Sequence, residues 1–206
     1  MTFCDTLLWV AGGGAVAAMP LSEWQVQRMK IKEMDKQSKI ILVTGGQKSG
    51  KSEFAERMAL GLSDRPVYMA TAKVMDEEFA KRVQIHKERR QQQWENIEEE
   101  RLLSKHKMDG RVVLVDCVTL WATNFFFEHG EDIDRAYNAL EQEFCRLAET
   151  EGATFVFVTN EIGWGGVSAN TMQRRFADLQ GRANQLIAAQ ADEVYMLVSG
   201  IPVKIK

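Results

Sequence analysis

A glycine-rich segment that directly follows an apolar run constrains the fold of this chain more than any other feature. Residues 40–44 read Ile-Ile-Leu-Val-Thr, and the segment after them matches the pattern G-x-x-x-x-G-K-[ST]. In that pattern the glycines let the backbone approach a polyphosphate, the lysine contacts the outer phosphates, and the hydroxyl can bind magnesium. A helix that begins at the lysine adds the partial positive charge of its N-terminus. We therefore predict a nucleoside triphosphate site formed by Gly45, Gly46, Gln47, Lys48, Ser49, Gly50, Lys51 and Ser52.

Apolar, β-branched runs alternate with segments of helical periodicity from residue 39 onward. Strands that are apolar on both faces belong to parallel sheets covered by helices on both sides. Together with the phosphate loop, this alternation predicts an α/β P-loop (RecA-like) fold with a mostly parallel sheet and helices on both faces. The predicted strands are 40–44, 66–70, 112–116, 154–159 and 194–199, and the predicted helices are 52–62, 76–90, 120–127, 133–150 and 170–190.

The first 38 residues differ from the remainder of the chain. Residues 7–19 are apolar and glycine-rich but too short to span a bilayer comfortably, and no Lys or Arg precedes Arg28. We expect residues 1–38 to be an N-terminal extension, either disordered or produced by a start codon placed too early, with Met29 or Met34 as the working start. A signal or anchor is the alternative. Residues 39–206 are expected to form a single domain.

Composition excludes several classes of function. The chain has 26 Lys and Arg against 29 Asp and Glu, so a general nucleic-acid surface is not indicated. Its three cysteines, Cys4, Cys117 and Cys145, are odd in number and include no C-x-x-C pair. That usage argues against a disulfide framework and a structural zinc site, and it predicts a cytoplasmic protein with no membrane span.

Ligands of parallel sheets gather at the carboxyl ends of the strands, so residues at these ends are candidates for the site. Asp116 follows four apolar residues, as a magnesium-binding carboxylate does in a phosphate-loop enzyme, and it is predicted to hold the metal together with Ser52. The small residues 70–72 would leave room for a ligand. Residues 159–166 are polar and rich in glycine, and they form either a contact with a second substrate or a plain flexible connection.

The predicted helix 76–90 carries a stripe of charge. Glu78, Arg82, His86 and Arg90 are spaced four residues apart and fall on one helix face. One interpretation is a solvated face held by salt bridges. The other is catalytic: neighbouring cations disfavour the imidazolium, so they would hold His86 neutral and able to attack phosphorus.

At this point the sequence resembles the family of bifunctional adenosylcobinamide kinase / adenosylcobinamide-phosphate guanylyltransferases. The resemblance covers residues 39–206 and rests on many short motifs in a fixed order. They are V-T-G-G-x-x-S-G-K-S at 43–52, Y-M-A-T at 68–71, R-V-Q-I-H at 82–86, Trp94, D-C-V-T-L-W at 116–121, T-N at 123–124, T-N-E-I-G at 159–163, R-F-x-D at 175–178, G-R-x-N-Q at 181–185, A-D-E-V at 191–194 and S-G-I-P-V-K at 199–204.

The resemblance implies two reactions. The first phosphorylates the hydroxyl of the aminopropanol arm of adenosylcobinamide with ATP or GTP. The second transfers GMP from GTP to that phosphate through a GMP–histidine intermediate, at a position that corresponds to His86, and releases pyrophosphate. Mg²⁺ and Lys51 would offset charge on the departing group. The resemblance also implies a homotrimer. The nucleotide contacts implied beyond the phosphate loop are Ala70, Thr71, Ala72, Lys87, Glu88, Arg89, Arg90, Glu98 and Asp116.

Several alternatives stay open at this stage. A simple small-molecule kinase would use His86 only to bind phosphate, and a non-catalytic nucleotide switch would bind partners without turnover. The switch is disfavoured because the chain has no guanine-reading N-K-x-D segment. No general base is evident for the kinase step, and Glu161 would serve only if its loop reaches the acceptor. Residues 120–127 form either a subunit interface or a buried core helix.

Overall fold

Seven strands and four α-helices make up the part of the chain that the computed structural model describes, residues 36–72 and 93–206. The strands are β1 (Lys39–Gly45), β2 (Val67–Ala70), β3 (Glu95–Glu98), β4 (Val112–Asp116), β5 (Thr154–Val158), β6 (Glu193–Val198) and β7 (Ile201–Lys204). The helices are α1 (Lys51–Leu62), α2 (Val118–Glu128), α3 (Ile133–Ala148) and α4 (Thr171–Gln190). These elements belong to one unit, Asp35–Lys206.

The strands form one sheet in the order β3-β2-β4-β5-β1-β6-β7. Every pair is parallel except β6 and β7, which form an antiparallel hairpin. The predicted α/β fold with a mostly parallel sheet is therefore confirmed. The phosphate-loop strand β1 lies inside the sheet, with β5 between it and the Asp116 strand β4.

Alternate residues of the central strands pack against opposite helical layers. Ile41 and Val43 of β1 belong to one buried cluster with Ala55 and Ala59 of α1. On the other face the ring of Phe157 in β5 stacks on Trp121 of α2, with centroids 6.4 Å apart, and tilts against Phe144 of α3 at 5.8 Å. Because side chains alternate along a strand, the apolar runs bury both faces of the sheet, as predicted.

Two strands were missed by the sequence prediction, and both lie at sheet edges. Strand β3 reads Glu-Asn-Ile-Glu and is half-buried to exposed, while β7 contains Pro202 and is exposed throughout. Edge strands bury less surface, so they lack the two-sided apolar pattern on which the prediction relied. As a consequence Asp116 ends the fourth strand of the chain and not the third. The remaining predicted strands and helices agree to within about two residues, except for the helix 76–90, which lies outside the described residues.

Residues just before β1 are attached to the domain. The backbone N–H and the hydroxyl of Ser38 both donate to the carbonyl of Ala148, each at 3.1 Å. The ammonium group of Lys36 lies 2.6 Å from Oδ1 of Asp192. The described chain thus makes domain contacts at residues 36–38, ahead of the predicted boundary. Residues 1–35 lie outside the described part.

Helix α2 contains the segment for which a core and an interface interpretation were both open. Trp121, Phe125 and Phe126 are buried, which supports the core interpretation for these three side chains. Phe127 is 52% exposed and turns away from the core. The helix is therefore a core element with one apolar side chain left at the surface.

Candidate active site

The phosphate loop joins the end of β1 to the start of α1, and its conformation depends on glycine. Gly45 has φ 153° and Gly50 has φ 92°. A Cβ atom at Gly45 would lie 2.7 Å from the carbonyl oxygen of Leu197 and 2.8 Å from Oγ of Ser49. A side chain at this position therefore needs both a strained backbone and a displaced neighbour.

Lys51 is buried at the first position of α1. Its ammonium group donates to the carbonyl oxygen of Gly46 at 2.9 Å, so the side chain lies across its own loop. Burial lowers the pKa of Lys51 from its ordinary value, while nearby Cys117 and Asp116 oppose that shift. An anion bound in the loop would give this partly desolvated cation a stronger partner than a carbonyl.

Asp116 ends β4 at the carboxyl edge of the sheet, next to the phosphate loop. One of its carboxylate oxygens, Oδ2, accepts a hydrogen bond from the hydroxyl of Tyr68 on the neighbouring strand β2. The sequence motifs indicate no role for Tyr68, because this contact joins residues that are 48 positions apart. The bond orients the carboxylate that was predicted to bind metal.

The donor set at this edge suits magnesium. Mg²⁺ prefers oxygen ligands and is usually held by one or two carboxylates together with substrate phosphates. The carboxylate of Asp116 and the hydroxyl of Ser52 are such ligands. Within residues 36–72 and 93–206, no three His, Cys, Asp or Glu side chains cluster as a metal centre. These two protein oxygens would complete their ligand set with the phosphate oxygens of a bound nucleotide.

Thr71 fixes the backbone that carries Asp116. Its buried hydroxyl donates to the carbonyl of Cys117 at 2.8 Å and accepts from the N–H of Cys117 at 2.9 Å. The backbone N–H of Thr71 also donates to the carbonyl of Asp116 at 3.2 Å. Its hydroxyl is thus engaged with protein, whereas its neighbours Ala70 and Ala72 are half-buried.

The cysteine beside the site is not poised for reaction. Burial raises the pKa of the Cys117 thiol to about 12, so it stays protonated near neutral pH. Cys117 and Cys145 are both free thiols. The expectation that they take no part in a disulfide agrees with this arrangement.

The register of the sheet aligns three of the predicted nucleotide contacts. Ala70 at the end of β2 is paired with Asp116 on one side and with Glu98 on the other. Glu98 is exposed at this edge. The remaining predicted residues of the site lie outside the described part of the chain, and they are His86, Lys87, Glu88, Arg89 and Arg90.

A cleft opens beside the loop that follows β5. It has a volume of about 710 Å³ and lies between this loop, the end of α2 and the start of α4. Phe127, Ile162, Val167 and Met172 contribute exposed apolar side chains to its wall, and Arg174 adds a cation. Its size is that of a small-molecule pocket.

The turn of the C-terminal hairpin supports the phosphate loop from the other side. The N–H of Gly200 donates to the carbonyl of Ser49 at 2.9 Å, and a Cβ atom at Gly50 would lie 3.3 Å from Cα of Gly200. The sequence marks this turn only as Ser-Gly between two apolar runs. Nothing in that pattern indicates that it reaches the loop.

These features define a class of protein. A phosphate loop with a buried lysine, beside a positioned aspartate at the carboxyl edge of a parallel sheet, is the active site of a phosphate-loop enzyme that acts on nucleotides. Among the described residues no helix combines the length and apolarity that crossing a membrane requires.

Comparison with known proteins identifies the family. The family model described as cobinamide kinase / cobinamide phosphate guanyltransferase matches residues 41–205. The bifunctional adenosylcobalamin biosynthesis proteins CobU of Escherichia coli (strain K12) and Salmonella typhimurium are each 39% identical over 181 residues, which is 81% of this chain and 99% of theirs. CobP of Pseudomonas aeruginosa is 36% identical over 170 residues, or 80% of this chain and 96% of that protein. The chain therefore belongs to the cobinamide kinase / cobinamide phosphate guanylyltransferase family of adenosylcobalamin biosynthesis, which confirms the resemblance.

Two solved structures are similar at low identity. Flagellar accessory protein FlaH from Methanocaldococcus jannaschii has a TM-score of 0.41 and 13% identity, covering 90% of this chain and 85% of FlaH. The RadB recombinase has a TM-score of 0.42 and 13% identity, covering 76% of this chain and 73% of RadB.

Proposed function

We propose that this chain phosphorylates adenosylcobinamide with ATP or GTP and then transfers GMP from GTP to the resulting phosphate. The products of the second step are adenosylcobinamide-GDP and pyrophosphate. The observation that carries this proposal is the buried Lys51 in its loop beside Asp116, in a chain of this family. Both reactions require a bound triphosphate whose negative charge is compensated. Lys51, and a metal ion held by Asp116, would provide the positive charge.

The phosphate loop would bind the triphosphate through its backbone N–H groups and the N-terminus of α1. Lys51 would leave the carbonyl of Gly46 and contact the outer phosphates. Ser52 and Asp116 would hold Mg²⁺, which when bound neutralises charge on the phosphates. Further contacts to the nucleotide would come from Ala70, Thr71, Ala72, Lys87, Glu88, Arg89, Arg90 and Glu98.

His86 would be the nucleophile of guanylyl transfer. A ring nitrogen of neutral His86 attacks the α-phosphorus of GTP, the bond to the bridging oxygen breaks, and pyrophosphate leaves. An oxygen of adenosylcobinamide phosphate then attacks the same phosphorus, and the bond from phosphorus to nitrogen breaks. Cationic Arg89 and Arg90 would stabilise the charge that develops on the phosphoryl oxygens in both displacements.

The corrinoid acceptor would bind in the cleft beside the loop after β5. The cleft adjoins the phosphate loop because the N–H of Glu161 donates to the carbonyl of Gly45 at 3.2 Å, and Ile162 already lines the cleft. A corrinoid combines a broad apolar ring with polar amide side chains. The apolar wall with Arg174 at its side matches that chemistry. We further expect a cytoplasmic homotrimer, which light scattering of the purified protein would measure.

The experiment that tests this function is incubation with Mg²⁺ and GTP labelled at the α-phosphate, followed by denaturation and intact-mass analysis. We expect one GMP per chain, labile to acid, stable to base and absent in His86→Ala. His106→Ala is the matched control and should keep the adduct. If no adduct forms while adenosylcobinamide is still phosphorylated, the protein is a kinase only.

A further inference from the structure

A buried polar network lies under the loop that follows β5. Thr159, Gln180 and Asn184 are all buried between the sheet and α4. The hydroxyl of Thr159 donates to Oδ1 of Asn184 at 2.7 Å, and Nε2 of Gln180 donates to both of these side chains, at 2.7 and 2.9 Å. Buried side chains that bond one another in this way have little freedom to rotate, although Oε1 of Gln180 has no hydrogen-bond partner among the described residues. Asn184 is therefore fixed in orientation.

The network ends at the carboxylate of Glu161. Nδ2 of Asn184 donates to Oε1 of Glu161 at 3.2 Å, and the hydroxyl of Thr44 donates to the same oxygen at 2.7 Å. Thr44 directly precedes the phosphate loop. Within the described part of the chain, no hydrogen bond reaches the second oxygen, Oε2. The carboxylate is thus held by one oxygen, beside the phosphate loop, while the other remains available.

Glu161 also stands between the two predicted substrates. Its backbone is tied to Gly45 at the start of the phosphate loop, and the next residue, Ile162, lines the cleft. With the nucleotide in the loop and the acceptor in the cleft, as proposed above, the carboxylate of Glu161 would lie between the acceptor hydroxyl and the phosphates.

We propose that Glu161 is the general base of the phosphoryl transfer and that Asn184 and Thr44 are its positioning residues. This inference rests on the proposed function. Oε2 of Glu161 takes the proton of the acceptor hydroxyl as its oxygen bonds to the γ-phosphorus. The bond from that phosphorus to the bridging oxygen breaks, and the nucleoside diphosphate leaves.

The two reactions differ in their need for this base. A hydroxyl has to lose a proton to become a phosphate ester. In guanylyl transfer the acceptor is a phosphate oxygen that is already anionic, so no proton has to be removed. Glu161 therefore serves the first reaction and is dispensable for the second. A merely structural role would instead affect both reactions.

The test measures both reactions with one preparation of Glu161→Gln. We expect kinase turnover to fall about 100-fold or more. GMP transfer to supplied adenosylcobinamide phosphate and the Kd for GTP should both stay within about 2-fold of wild type, which is the usual effect of a substitution outside the machinery of a step. Thr44→Val keeps the carboxylate and removes one of its two donors, and it should lower kinase turnover by a smaller factor without affecting transfer. Glu161→Asp should fall between Glu161→Gln and wild type.

The outcomes separate the two proposals. Full kinase activity in Glu161→Gln, or an equal loss of both reactions in a variant that unfolds at the wild-type temperature, overturns the role of Glu161 alone. If Glu161→Gln does not fold, Thr44→Val decides, and an equal effect on both reactions contradicts the role. A wild-type protein that phosphorylates no corrinoid overturns the proposed function itself.

Discussion

The hydroxyl of Tyr68 donates a hydrogen bond to Oδ2 of Asp116 across two neighbouring strands of the sheet. Tyr68 is buried, and its ring packs edge-on against Trp94 with centroids 5.8 Å apart. The ring has no room to turn, so the hydroxyl holds the carboxylate in one orientation. The aspartate is thereby prepared for its ligand before the ligand arrives.

Removing this hydroxyl should weaken the proposed contact between Asp116 and Mg²⁺. In Tyr68→Phe the aspartate loses its positioning donor, and we expect the Mg²⁺ concentration for half-maximal activity to rise on the order of 10-fold. Titration of activity with Mg²⁺ at saturating GTP measures this. Tyr195→Phe is the matched control, since its hydroxyl bonds Glu193 at 2.7 Å, away from Asp116. An unchanged Mg²⁺ dependence in Tyr68→Phe would contradict the role of Asp116 as a metal ligand.

Two adjacent glycines of the phosphate loop should respond differently to alanine. A Cβ atom at Gly45 meets the backbone of Leu197 at a positive φ, whereas one at Gly46 has no neighbour within 4 Å. We expect Gly45→Ala to lower the free energy of unfolding by about 1–3 kcal/mol. Gly46→Ala should change it by less than about 0.5 kcal/mol. Urea unfolding of both variants without nucleotide provides the comparison, and equal stabilities would show that the loop adapts.

Removing an aromatic side chain from the cleft wall should weaken binding of the corrinoid. We expect Phe127→Ala to raise the KM for the corrinoid roughly 10-fold, equivalent to about 1.4 kcal/mol, and to leave the KM for GTP unchanged. Steady-state kinetics with each substrate varied in turn measures both constants. Leu102→Ala is a matched control, because Leu102 is 51% exposed against 52% for Phe127 and lies outside the cleft. A rise in the KM for GTP alone would place the corrinoid elsewhere.

The ion pairs of Glu193 in the hairpin β6–β7 should stop stabilising the fold at low pH. Hydrogen bonds from Lys204, Lys39 and Tyr195 lower the pKa of Glu193 from 4.5 to about 2. A carboxylate with a lowered folded-state pKa contributes stability above its unfolded pKa, and this is lost as the pH falls through the folded value. The ion pairs are partly exposed, so we expect Glu193→Gln to cost about 1 kcal/mol at pH 7 after screening.

The same variant gives the pH dependence. The stability difference between wild type and Glu193→Gln should shrink between pH 4.5 and about 2, the unfolded and folded pKa values of Glu193. Urea unfolding at a series of pH values measures it. A difference that stays constant down to about pH 2 would assign the effect to packing and not to charge.

Local patterns explain which parts of the site were predictable. The phosphate loop and Asp116 each follow a buried strand directly, so their neighbours in sequence specify their place at the sheet edge. The hydroxyls of Tyr68 and Thr71 bond residues 48 and 46 positions away, at 116 and 117. The periodicity of apolar residues along the sequence does not indicate such a long-range contact. The proposed role of Glu161 rests on hydrogen bonds from Thr44 and Asn184, which lie 117 and 23 positions away in the sequence.

The fold shows the same division. Strands inside the sheet are apolar on both faces and were predicted, whereas β3 and β7 bury little and resemble loops in composition. Pro202 occupies an edge strand, where its missing N–H costs no ladder bond to a further strand. The strands that could be predicted are those that lie inside the sheet.

The contact between Gly200 and Ser49 has a consequence for the nascent chain during its synthesis on the ribosome. A ribosome delivers β1 and the phosphate loop early, but β6 beside β1 and the turn that supports the loop emerge only near the end of the described chain. A nascent chain therefore carries a complete nucleotide-binding motif without a braced site. If the loop needs this support to bind GTP as proposed, we expect GTP to stabilise the chain only after the hairpin has closed.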